Sequence, residues 1–281
     1  MKPPRTSPNF TFSRRRLKYA MIAIISVAVI GLLVWLQNRN LRHSTFFTGY
    51  LLMGSILFLT AFNLRKKIPV LPAFGSATMW MQLHIYVGLS TFAVFGFHIA
   101  WRIPNGMFEG LLAFLYLAVA LSGVYGLYAT RIMPRRLAAL KEEVIYERIP
   151  ALQRQLATSA KRLVLEACES TDVLARFYVN KLATFFERPR SLAYMINPSG
   201  RRRKQLLDEI TDLNRYLGEQ QRPVGAQLSE MVQQKDDLDY HRVVQGRLKL
   251  WLFVHIGMTY SLLIISIIHG IMAHAFAGGL R

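Results

Sequence analysis

Apolar positions fall into five long runs, at 19–36, 46–62, 79–101, 111–130 and 250–276. Each approaches the roughly 20 residues a helix needs to cross a hydrocarbon core about 30 Å thick. One long polar stretch, 134–248, separates the fourth run from the fifth. There apolar residues recur at helical spacing and opposite charges pair at i,i+4. The pattern predicts an all-α membrane protein with five transmembrane helices and a helical insert. Residues 1–18 form a polar tail and 19–133 carry transmembrane helices one to four. The insert occupies 134–248, and 249–281 holds the fifth helix and a short tail. Within the insert, helices are expected at 137–148, 151–187 and 203–221, with another leading into the last span from about residue 226. Asn197-Pro198-Ser199-Gly200 and Arg222-Pro223 mark turns. No period-two strand, G-x-G-x-x-G or Walker sequence occurs.

The composition, 281 residues with 52% apolar and a net charge of +19, changes this picture little. Much of the positive charge sits in short clusters beside the apolar runs, which makes it topological. Neither zinc-finger spacing nor an aromatic–basic platform accompanies it, so nucleic acid is not an expected partner. Arg14, Arg15, Arg16 and Lys18 precede the first run as in a secretory signal. That run is long and no A-x-A site follows, so an uncleaved anchor is expected. The basic segments are the amino terminus, Arg65–Lys67 and the stretch after Arg131. With five spans this puts the amino terminus and the insert in the cytoplasm and the carboxyl terminus in the periplasm, in a bacterial inner membrane. The insert holds 15 of the 16 acidic residues, Asp236, Asp237 and Asp239 among them. It is the expected docking region for a cytoplasmic partner. The Arg201–Lys204 run reads equally as a contact for anionic lipid and as a solvated helix start.

The single cysteine, Cys168, excludes an internal disulfide, a four-cysteine cluster and a C-x-x-C-H attachment. The chemistry must come from histidine. His84 and His98 lie in the third run, His255 and His269 in the fifth, both as H-x13-H. Fourteen helical steps bring a side chain back to within about 40° and advance it about 21 Å. Each helix would thus present two imidazoles on one face, one toward each side of a bilayer. Spans three and five run in the same direction under the charge rule, so His84 is expected to face His255 and His98 to face His269. A lone membrane histidine is most simply an interhelical hydrogen bond, but two pairs at matched spacing are poorly explained that way. Two axial imidazoles fill the open positions of a haem iron. Gly88, Gly96, Gly257 and Gly270 lie near these residues in sequence, where a macrocycle edge would need small side chains. Arg102, Arg247 and Lys249 sit where propionates would emerge, or simply snorkel at the interface. His274 falls on another face: a proton acceptor in an outer quinol site, a ligand to a third centre, or an interfacial residue. His43 and His241 read as surface residues.

The phrases LHIYVGLSTFAVFGFHIAW and FVHIGMTYSLLIISIIHGIMAH resemble the ligand helices of di-haem cytochrome b/b6 and b561-like membrane cytochromes. Ferric-reductase-like proteins share the paired-histidine arrangement. The resemblance covers spans two to five and implies a di-haem four-helix bundle. It implies two non-covalent b haems, at His84/His255 and His98/His269, and electron transfer through the bilayer. Arg102 and Lys249 are the expected propionate partners. The chain lacks a flavin or NADPH domain after span five and a Pro-Glu-Trp-Tyr motif, so the branch stays open. The expected function is an electron-transfer subunit linking quinol or a cytoplasmic partner to a periplasmic c-type cytochrome or other redox protein. Quinone is a further candidate ligand. A stand-alone quinol or metal reductase is one alternative, and a non-redox anchor or transporter using the same histidines is another.

Overall fold

A computed structural model describes residues 8–39, 44–64, 76–140, 143–167, 172–219 and 221–277. All regular structure among them is helical, with no strand. The chain divides into two compact units, Met1–Tyr128 with Trp251–Arg281, and Ala129–Leu250.

The first unit contains α1 (Pro8–Arg39), α2 (Ser44–Leu64), α3 (Ala77–His98), most of α4 (Met107–Leu137) and the last part of α10 (Arg222–Ala277). Helices α1, α2, α4 and α10 are long and apolar enough to cross a membrane. The fifth expected span, α3, is not among them. Gln82, His84 and His98 dilute the apolar content of its 22 residues. It packs closely against both α1 and α2. Ile56 of α2, Tyr116 of α4 and Leu262 of α10 meet in one buried cluster, with Phe95 of α3 packed on it. Helix α1 stays outside that cluster and touches α3 through Tyr19–Tyr86 stacking and the approach of Phe97 to Gly31.

The start and end of α3 are set by local chemistry. Ser76 caps the first turn by accepting the Met79 N–H. After His98 the chain reverses through a double hydrogen bond, Trp101 N–H to Gly96 O and Ala100 N–H to Phe97 O. This is the Schellman arrangement, whose turning position favours glycine. Here that position is Ala100, at φ 51°, followed by Trp101 at φ 57°. The indole folds back over Gly96, where a Cβ would lie 2.6 Å from Trp101 Cη2.

The second unit packs α5 (Ile149–Ala167), α6 (Asp172–Phe177), a π-turn (Tyr178–Leu182), α7 (Ala183–Glu187), α8 (Leu192–Ile196), α9 (Arg201–Leu213) and the first part of α10. Its core joins Ala160 and Val164 to Leu174, Leu182 and Phe186, and these to Leu206, Ile210, Leu228 and Val232. Two expectations are corrected here. Of the stretch 137–148, α4 takes only Leu137, a 3-10 turn (Tyr146–Arg148) precedes α5, and residues 143–145 are not helical. Tertiary bonds hold this stretch extended, because Gln245 donates to the Val144 carbonyl at 2.8 Å and Lys249 pairs with Glu147. Nor is 151–187 one regular α-helix, since a π-turn (Tyr178–Leu182) separates α6 from α7, and α5 and α6 bring their apolar faces into one core. Cys168 and His43 lie outside the described residues.

Candidate paired-histidine site

The register of α3 against α10 brings the four histidines together in pairs. His98 and His269 face each other with ring centroids 6.3 Å apart and planes at 87°. His84 lies within electrostatic range of His255. All four rings are half-buried. Thr91 stands seven residues from both His84 and His98, and Leu262 seven from both His255 and His269. Both are buried, and they form a layer between the pairs with Ile56 and Tyr116. The Tyr116 hydroxyl donates to Thr91 Oγ1 at 3.0 Å, and its ring stacks on Phe95 at 4.2 Å.

Neighbouring helices hold the rings in place. His98 Nδ1 lies 3.1 Å from the Thr45 carbonyl and 3.2 Å from Thr48 Oγ1, both on α2. His255 Nδ1 lies 3.2 Å from Ser122 Oγ on α4. An imidazole that gives Nδ1–H to an oxygen turns its Nε2 lone pair outward, which is how ligand histidines are usually oriented. Trp251 stacks on His255 at 5.6 Å while its indole N–H donates to the Ser122 carbonyl at 2.9 Å. Phe62 leans on His84 at 5.1 Å, and Phe108 stacks on His269 at 6.2 Å. His84 Nδ1 is buried without a well-formed hydrogen bond, though the Leu59 backbone is within reach of the ring. The close approach of rings to backbone needs small residues. A Cβ on Gly49 would sit 3.2 Å from His98 Cε1, a tight approach, whereas one on Gly123 would make an ordinary contact with His255 Cε1 at 3.7 Å.

These residues fit a metal-centred macrocycle held by two imidazoles. The 6.3 Å between the ring centroids of His98 and His269 would let both imidazoles hold one metal-centred group, which would supply one-electron chemistry. Beside Gly88, one turn from His84, and beside Gly257, two residues from His255, a Cβ would meet nothing within 4 Å. Among the described residues no three His, Cys, Asp or Glu side chains gather around a point that could hold a bare ion.

The charged residues expected near propionates have the following surroundings. Arg102 is exposed on the turn after α3. Lys249 pairs with Glu147 and lies 4.2 Å from the Tyr146 ring centroid. Arg247 donates through Nε to the Met195 carbonyl at 3.0 Å and through a terminal nitrogen to that of Ile196 at 2.6 Å. His274 is hydrogen-bonded at both nitrogens, Nε2 to Tyr50 Oη at 2.5 Å and Nδ1 to the Gly270 carbonyl at 2.7 Å. His241, expected at the surface, is 3% exposed, because it lies on the inward face of α10 and its Nδ1 meets Gln245.

One polar cluster in the second unit went unread in the sequence. Arg190 forms ion pairs with Asp236 and Asp239, and Lys235 reaches Asp239 at 2.5 Å. Gln153 donates to Asp239 at 2.7 Å. Arg203, in the basic run at the start of α9, lies 3.7 Å from Asp236 and 3.6 Å from Asp237. The Arg190 guanidinium lies 4.4 Å and 4.8 Å from the Phe185 and Tyr194 ring centroids. Burial pushes Asp236 up and Lys235 down, each opposed by its ion-pair partner. The signal was available: 228, 232, 235, 236 and 239 share one face of a helix, so the charges continue its apolar stripe.

The described residues thus form a helical protein with four helices long and apolar enough to cross a membrane, and with paired histidines between α3 and α10. Comparison with protein-family profiles, curated proteins and solved structures finds no match.

Proposed function

We propose that the chain is a di-haem b-type cytochrome subunit of a bacterial cytoplasmic membrane. It carries electrons between quinol or a cytoplasmic partner and a periplasmic redox protein. The carrying observation is the facing of His98 and His269, with ring centroids 6.3 Å apart. The membrane setting rests on the apolar side chains that face outward, Ile24, Leu32, Phe114, Phe253 and Ile271 among them. A water-soluble protein rarely carries so large an apolar surface. In this reading α3 also crosses the bilayer, with its polar residues turned toward α2 and α10. The basic clusters then set the amino terminus and the insert in the cytoplasm.

His84 and His255 would hold one haem and His98 and His269 the other, with Arg102 the exposed cation nearest in sequence to the outer pair. Haem bound through two imidazoles exchanges single electrons and has no open position for a substrate. The protein's own part is positional. Thr45, Thr48 and Ser122 hold the imidazoles by Nδ1, and Trp251 and Phe108 limit ring rotation. Tyr116, Leu262 and Ile56 exclude water between the two levels.

One observation favours a stand-alone quinol oxidoreductase as a second reading. The hydrogen-bonded Tyr50–His274 pair adjoins an open groove of about 290 Å³ lined by Tyr50, Leu51, Gly54, Ser55, Phe58 and Val87. That groove suits a flat ring with a hydroxyl at one end. The experiment for both readings is a reduced-minus-oxidised spectrum of the detergent-purified protein with a pyridine haemochrome count. Two b haems per chain, one lost in His84→Ala and the other in His269→Ala, support the proposal. A colourless protein ends it.

A further inference from the structure

Unit two carries an apolar surface that its own core does not use. Leu192, Met195 and Ile196 occupy one face of α8 and are 77%, 41% and 79% exposed. On the opposite face Tyr194 is buried under the Arg190 guanidinium. Ile145, 60% exposed, sits in the extended stretch before α5. Both segments are tied to the same short section of α10. Arg247 binds the carbonyls of Met195 and Ile196, Gln245 binds that of Val144, and Lys249 binds Glu147 beside Ile145. The apolar run of α10 begins at residue 250, immediately beyond this section. At 1.5 Å per residue, Arg247 stands about 4.5 Å from the start of that run.

We propose that Ile145, Leu192, Met195 and Ile196 form a lipid-contacting foot that rests in the headgroup region of the bilayer. The inference rests on the membrane reading above and is independent of haem. Four aliphatic side chains held at the level where α10 turns apolar suit the boundary between headgroups and acyl chains, where short amphipathic helices lie. Arg247 is bonded to the Met195 and Ile196 carbonyls and Lys249 is paired with the exposed Glu147, so the foot sets paired charge beside its hydrocarbon, as suits the headgroup boundary. The basic run Arg201–Lys204 does not take this role, since Arg203 is paired near Asp236 and Asp237, roughly 16 Å further along α10 from Arg247.

The test is fluorescence quenching of the full chain in phosphatidylcholine–phosphatidylglycerol liposomes. An environment-sensitive label is placed through Leu192→Cys or Ile196→Cys, with unsubstituted protein giving the background from Cys168. Tyr216→Cys, at an 82% exposed site of the same unit, is the aqueous control. Phe253→Cys, at a 79% exposed site on the apolar part of α10, is the lipid control. The expected result is several-fold stronger quenching by shallow spin-labelled lipid at 192 and 196 than at 216, with weaker quenching by iodide. Equal iodide access at 192, 196 and 216 would overturn the proposal. So would protection from both quenchers, which would mean that protein covers the face. If the label at 253 also escapes lipid quenching, the membrane reading itself fails.

Discussion

His98 and His269 stand ring to ring at 6.3 Å and 87°, and only one of the two is fixed by a hydrogen bond from α2. His98 has two Nδ1 contacts, the Thr45 carbonyl and the Thr48 hydroxyl. His255, in the other pair, has only Ser122 Oγ. Removing the hydroxyl should therefore matter unequally. Among the described residues Ser122→Ala leaves His255 Nδ1 without a hydrogen-bond partner, with only the Trp251 stack to orient the ring, and outer-shell losses of this kind lower metal affinity about 10–100-fold. Thr48→Val leaves His98 on the Thr45 carbonyl, and its effect should be several-fold smaller. Redox titration with haem counting checks this. On the di-haem proposal, Ser122→Ala should shift or deplete one of two centres and leave the other in place. Equal loss of both centres would show that Ser122 acts on the fold and not on one pair.

Trp251 provides a test of packing beside the same histidine. A Cβ on Gly126 would fall 1.8 Å from Trp251 Cζ2, so Gly126→Ala must displace the indole from its stack on His255. Overpacking of this kind costs about 1–3 kcal/mol. Gly123→Ala meets His255 Cε1 at 3.7 Å, an ordinary contact, and should stay within about 0.5 kcal/mol of the parent. Thermal unfolding in detergent compares the two. A tolerant Gly126→Ala would mean that Trp251 has another low-energy position.

The turn after α3 carries strain that one substitution removes. Ala100 sits at φ 51° in the position where a Schellman turn favours glycine, and Trp101 follows at φ 57°. A non-glycine residue in this region costs roughly 1–2 kcal/mol. Ala100→Gly should stabilise the protein by about 1 kcal/mol despite the greater freedom of glycine in the unfolded chain. Its melting temperature should rise. A fall would mean that the Ala100 side chain makes contacts worth more than the strain.

The parts of this chain most legible in the sequence are those governed by periodicity. The H-x13-H spacing predicts His84 and His98 on one face of α3, and His98 does lie against His269. The turn at 197–200 followed from its Pro and Gly. Local pattern misled where tertiary bonds decide. Residues 143–148 have helix-compatible composition, yet Gln245 and Lys249, about a hundred positions away, hold them against α10. His241 was read from the polarity of its neighbours and not from its register on α10, which buries it. Lys249 was assigned by its nearness to His255 in sequence, and its carboxylate partner could not be seen without the fold.

The Arg190 cluster yields the largest stability effect. Arg190 joins two buried carboxylates, Asp236 and Asp239, while Lys235 and Gln153 complete the set around Asp239. Removing one partner from a buried ion pair leaves an uncompensated charge and costs about 3–5 kcal/mol. Arg190→Met, which keeps much of the stem that packs on Phe185 and Tyr194, should lose that much. The loss should depend on pH. Burial already raises Asp236 above the usual 3.8, with Arg190 first among the groups holding it down, so removing the guanidinium raises it further. An acid whose folded-state pKa exceeds its unfolded value is penalised above the folded pKa and is relieved as pH falls through it. The defect of Arg190→Met should therefore be full at neutral pH and shrink as pH falls through the raised pKa of Asp236. Adding Asp236→Asn should recover part of the stability at neutral pH and flatten the profile. Unfolding of the full-length protein followed by far-ultraviolet circular dichroism across this range measures both. A pH-independent loss, unchanged by Asp236→Asn, would assign the role of Arg190 to packing on the two aromatic rings instead of charge.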